Sequence, residues 1–180
     1  MTRSTKNLVR ASLLMALGLL LPFLTGQIPQ IGRMLSPMHI PVLLCGMICG
    51  WPYGLAVGFL TPLLRSVLFG MPAIYPQAVA MAFELAVYGL VSGLLYARFP
   101  EKDLKAIYLS LIAAMLAGRL VWGLASLALY GVVGNAFTFP MFLAGAFVNA
   151  VPGILLHLVL IPAIMFGLER SGVLRKERQE

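Results

Sequence analysis

Residues 76–96 read PQAVAMAFELAVYGLVSGLLY. At about 1.5 Å per helical residue this stretch is long enough to cross a bilayer, and it is apolar enough to stay there. Yet Glu84 stands well inside it. A lone carboxylate at such a depth costs a few kcal/mol even on lenient insertion scales, so it must face protein or water and have a partner. Arg65 and Arg119 lie in equally apolar surroundings. What these three charges hold decides how the chain is read.

Composition sets the frame. Of 180 residues, 61% are hydrophobic and only 11% charged, with a mean hydropathy of +0.95, which excludes an ordinary soluble domain. The formal charge of +7 lacks a basic amphipathic face, so no nucleic-acid partner is expected. The sequence predicts an all-α integral membrane protein, lodged in the lipid bilayer as one domain over residues 1–180. The two cysteines, Cys45 and Cys49, are four residues apart in an apolar run. Helical geometry keeps such a pair from closing a disulfide easily, and no flanking His or acid completes a metal site, so both read as packing residues. Arg3, Lys6 and Arg10 before an apolar run have the outline of a signal peptide. No small-x-small cleavage pattern follows, so the run reads as a first transmembrane helix.

Apolar runs and Gly/Pro punctuation predict a compact bundle of six transmembrane helices over residues 8–25, 38–50, 53–69, 76–98, 104–130 and 141–168, with a charged tail at 169–180. The second is short for a span and compatible with a tilted or partly re-entrant path. Pro152 and Pro162 predict kinks in the sixth. Arg3, Lys6, Arg10, Arg98, Lys102, Lys105, Arg170, Arg175, Lys176 and Arg178 all fall on the side of the two termini, against Arg33 alone on the other. That asymmetry places both termini in the cytoplasm and the protein, as a multi-pass chain, in the cell membrane. Gly46/Gly50, Gly54/Gly58 and Gly89/Gly93 are small-xxx-small pairs that let helices approach closely; Ser12/Ala16 and Ala146/Ala150 repeat the pattern with slightly larger residues.

With this topology, helical rise puts Arg65 about 7 Å, Glu84 about 12 Å, Arg119 about 17 Å and Asn149 about 12–14 Å below the outer surface. Gln77 and Tyr88 share the Glu84 face, Trp122 shares that of Arg119, and His39 stands at the outer end of the second helix. Carboxylate, guanidinium, amide, indole and phenol together suit an outward-opening pocket for a small polar solute. Plainer readings stand beside these: Glu84 in a structural ion pair with either arginine, Arg65 snorkelling outward, His157 as a packed or backbone-bonded core residue, Tyr88 and Trp122 as packing aromatics. Two arginines against one acid favour an anionic ligand. No phosphate loop, GxSxG elbow, HExxH or paired intramembrane carboxylates are present, so no enzyme, catalytic residue, metal or cofactor is expected.

Size, helix count, orientation and the basic start followed by a small-xxx-small first helix resemble the substrate-binding S components of energy-coupling factor (ECF) vitamin transporters. PMHIPVLLCGMICGWPYGLAVGFLTPLLRSVLFGMP followed by MAFELAVYGLVSGLLY is most similar to the pantothenate-type S components. The resemblance implies import of a small vitamin, energised by a transmembrane coupling subunit and two cytoplasmic ATPases. Ser12 and Ala16 would match the family's docking motif, with Ser in place of the usual Ala. It also implies that the S component topples in the membrane, with the loops at 26–36 and 70–75 closing over the site. Competing readings are a self-sufficient proton-coupled transporter working through Glu84, or an S component for a pyridoxine- or thiamine-related compound.

Overall fold

The computed structural model of the chain describes residues 2–25, 32, 34–132, 134 and 136–171. Most of the loop at 26–36, Arg33 and the basic tail beyond Ser171 lie outside the described residues. Helix α1 spans Arg3–Leu20 and tightens into a final turn, Leu21–Thr25. It starts five residues before the apolar run because Thr2 caps it, its hydroxyl accepting from the Thr5 N–H at 3.3 Å. The short helix α2 spans His39–Cys49 and α3 spans Trp51–Phe69, joined through Gly50, whose φ of 96° favours a residue without a Cβ.

A wide turn, Ile74–Ala78, leads into α4, Val79–Arg98. Helix α5 spans Leu104–Val132; Asp103 caps it by accepting from the Ala106 N–H at 2.9 Å. The last apolar stretch differs from a single kinked helix over 141–168. It comprises a short α6, Phe139–Leu143, a wide turn, Ala144–Val148, and then α7, Val151–Arg170. Pro152 lacks an N–H and crowds the carbonyl four residues before it, so the helix breaks one turn ahead of the proline. At the break the Asn149 N–H reaches back five residues to the Ala144 carbonyl, at 2.8 Å.

Among the described residues, five stretches are long and apolar enough to cross a membrane: Ser4–Leu24, Trp51–Phe69, Ile74–Arg98, Leu104–Val132 and Phe139–Arg170. Their outward faces carry exposed leucines, isoleucines and valines, such as Leu109, Ile112, Leu116, Leu120, Leu124 and Leu127 on α5. So much contiguous apolar surface on a monomer belongs in hydrocarbon. The chain is a multi-pass membrane protein. Helix α2 is the exception. Its eleven residues rise only about 16 Å, half a hydrocarbon core, and nearly all of them are buried among α1, α3, α4 and α7.

Helices α2, α3 and α4 meet at glycines. A Cβ added to Gly89 on α4 would collide with the Gly54 backbone on α3, and one added to Gly46 on α2 would collide with the Gly89 carbonyl. In lipid, where apolar side chains gain little by leaving one another's company for protein, such backbone-to-backbone packing is a principal source of helix association. Cys45 and Cys49 are buried within this core, as the packing reading of the pair expects.

Candidate functional site

The strongest polar cluster sits where α2 begins, between α4 and α5. Arg119 Nη1 lies 3.0 Å from Glu84 Oε1, and His39 Nε2 lies 3.7 Å from the same oxygen. Tyr88, one turn beyond Glu84 on α4, is buried beside it. The His39 ring meets Tyr88 edge-on, with centroids 5.3 Å apart, and stacks on His157 of α7 at 5.9 Å. His157 in turn points Nε2 at the Ser36 carbonyl, 3.3 Å away, so the backbone-bonded reading of this histidine holds. Small residues make room for the cluster. The Tyr88 ring covers Gly118, one residue before Arg119, and the Met34 and Leu35 carbonyls press on Gly153, one turn before His157. The chain leading into α2 thus runs down α7 from Gly153 to His157, and so delivers His39 to the bundle interior.

Glu84 and His39 are each 2% exposed and Arg119 is 9% exposed. Even so, Glu84 Oε1, Arg119 Nε and both ring nitrogens of His39 lack a hydrogen-bond partner among the described residues. The Glu84–Arg119 contact is therefore a close charge pair whose geometry is not that of an aligned hydrogen bond. Buried polar atoms are nearly always paired, and one unmet group costs about 1–3 kcal/mol, more when charged. Four unmet atoms on three converging side chains, both donors and acceptors, mark a place for a polar guest. Recognition is what these groups can do. Among the described residues, no group of three His, Cys, Asp or Glu is placed to hold a metal ion.

Other residues singled out in the sequence fall elsewhere. Arg65 is buried, but its Nη1 donates to the Leu19 carbonyl at the end of α1, at 2.6 Å. Its guanidinium lies between the rings of Phe23 and Phe69, 5.1 and 5.4 Å from their centroids. One arginine, not two, stands against the acid. Asn149 is exposed at the break before α7 rather than turned to the cluster. Trp122, half-buried, belongs to an aromatic group with Phe137 and Phe142, at 5.7 and 6.3 Å. Gln77 is half-buried on the wide turn before α4. Ser12 and Ala16 are exposed on α1, within an apolar face that includes Leu8, Val9, Leu13, Leu17 and Leu20.

Two further residues were not singled out in the sequence. Ser36 bears no recognisable signal, because its role is carried by a main-chain carbonyl. Ser126, buried on α5 with its Oγ unpartnered among the described residues, was legible as the residue seven beyond Arg119, on the same helical face.

A family model described as "ECF transporter, substrate-specific component" matches residues 6–172. Neither the comparison with curated proteins nor that with solved structures finds a match. The match covers nearly the whole length of this membrane bundle, so this chain belongs to the substrate-specific components of ECF transporters.

Proposed function

We propose that this chain captures a small water-soluble vitamin or precursor bearing an anionic group, with pantothenate the favoured compound, and holds it at the Glu84–Arg119–His39 cluster for import. Members of the family bind small-molecule substrates and work with a coupling subunit and an ATPase module. The observation that carries the reading is the set of unmet atoms on His39, Glu84 and Arg119. Pantothenate offers a carboxylate to Arg119 and His39, and its amide N–H to Glu84. The resemblance of residues 37–72 and 81–96 to pantothenate-type S components supports the same choice.

The chain would cross the cell membrane six times with both termini cytoplasmic, as the charge asymmetry supports. The second crossing would be made by the descending segment before α2 together with α2 itself. The exposed stripe around Ser12 and Ala16 would meet the coupling subunit, with two ATPases beneath it. Release inside requires a second orientation with lower affinity, because a ligand held equally in both would not move.

Mass spectrometry of small molecules released from the purified protein tests the reading, together with titration of pantothenate into the emptied protein. Bound pantothenate whose affinity falls at least tenfold in Arg119→Met supports it. A cationic vitamin in its place, or affinity indifferent to Arg119 and Glu84, overturns it.

A further inference from the structure

Ser126 lies on α5 seven residues beyond Arg119, about 10 Å further along the axis and about 20° from the same face. It is 1% exposed, and its Oγ has no hydrogen-bond partner among the described residues. Hydroxyls inside apolar helices ordinarily bond the carbonyl one turn back. Ser12 does so to Leu8 at 2.9 Å, and Thr61 to Val57 at 2.6 Å. Ser126 leaves the Trp122 carbonyl unused.

The antiparallel pairing of α4 and α5 fixes what faces it. Arg119 reaches Glu84, and further along the same groove the Tyr75 hydroxyl donates to the Leu129 carbonyl at 3.0 Å. Between these two anchors Ser126 comes abreast of Gln77, whose half-buried amide sits on the wide turn before α4. Separating the two polar levels are Trp122 and Gly123. The Phe142 ring rests on Gly123, where an added Cβ would come within 2.5 Å of it, and the Trp122 ring covers Gly145 in the same way at 2.6 Å.

We propose that Ser126, with Gln77, forms a second polar subsite. The substrate is then an elongate molecule, anionic at the Arg119–His39 end and hydroxylated at the Ser126 end, with the stretch between them running past Trp122 and Phe142. This rests on reading the Glu84–Arg119 cluster as the binding site. Pantothenate has these proportions: roughly nine bonds separate its carboxylate oxygen from its terminal hydroxyl, and at about 1.2 Å of advance per bond they span about 11 Å. A compact solute would reach one level only.

The test compares two probes, pantothenate and N-(3,3-dimethylbutanoyl)-β-alanine, which keeps the skeleton and carboxylate but lacks both hydroxyls. Calorimetric titration of Ser126→Ala is expected to show pantothenate weakened about three- to tenfold, the range of one neutral hydrogen bond. The dehydroxylated probe stays within twofold of its wild-type affinity. Thermal unfolding of Ser126→Ala at or above the wild-type midpoint is expected, since the variant removes an unpaired buried hydroxyl. Equal weakening of both probes, or a lowered midpoint, makes Ser126 structural and overturns the subsite. Pantothenate affinity lost in Arg119→Met but unchanged in Ser126→Ala also overturns the subsite, while leaving the binding site in place. A wild-type protein indifferent to pantothenate overturns both.

Discussion

The Glu84–Arg119 pair allows its structural and recognition roles to be separated by one set of variants. Arg119→Met leaves a carboxylate that is 2% exposed with the His39 ring, 3.7 Å away, as its nearest remaining polar neighbour. Breaking a buried ion pair from one side costs about 3–5 kcal/mol, because the surviving charge is uncompensated. Glu84→Met, which strands a guanidinium, should cost a similar amount. For a chain of this length each kcal/mol moves the unfolding midpoint by about 2–4 °C, so either single variant should unfold roughly 6–20 °C early in detergent. Removing both charges is different. Glu84→Met/Arg119→Met replaces the pair by side chains of similar length, and such exchanges are often neutral or stabilising, so the midpoint should return to within a few degrees of wild type. Ligand affinity should not return with it. A double variant as unstable as the singles would refute the ion-pair energetics. One that recovers both stability and affinity would refute the assignment of the pair to recognition.

Three further outcomes follow from contacts described above. Gly89→Leu should leave little folded protein in detergent, read by size-exclusion profile, because its side chain would have to occupy the Gly54 backbone. Arg65→Met should lower stability by about 2 kcal/mol through loss of its carbonyl bond and ring contacts while leaving ligand affinity within twofold; a tenfold loss of affinity would return Arg65 to the site. Ser12→Trp and Ala16→Trp should abolish uptake in cells and co-purification with a coupling subunit, yet leave binding by the isolated chain intact. Unimpaired uptake would move docking to another face.

Much of the fold was legible because hydropathy and glycine spacing are local properties. The long apolar stretches of the described residues overlap those read from the sequence, and Gly46, Gly54, Gly58, Gly89 and Gly93 lie against the backbone of neighbouring helices, whereas Gly50 turns the chain between α2 and α3. Glu84 and Arg119 could be matched because burial leaves a charge few options. Arg65 looked equivalent by the same logic, but its partner is a main-chain carbonyl on α1, 46 residues away, and no sequence feature announces a carbonyl. Asn149 was misplaced by phase. The wide turn at Ala144–Val148 adds a residue to one helical turn, which rotates everything after it by about 100° relative to an unbroken helix. An amide expected on the inner face therefore points outward.

Helix α2 is enclosed by α1, α3, α4 and α7, and this bears on how the protein is made. A segment of eleven residues is too short to be partitioned into the bilayer on its own hydropathy. It enters as one arm of a hairpin with α3, turned at Gly50. The helix that ends up at the centre is thus the second to leave the ribosome and the last to have its surroundings completed, when α7 arrives and His157 closes on Ser36. Until then its polar end, carrying His39, waits beside lipid or water. The cluster therefore has its full set of neighbours only once α7 is in place beside α2.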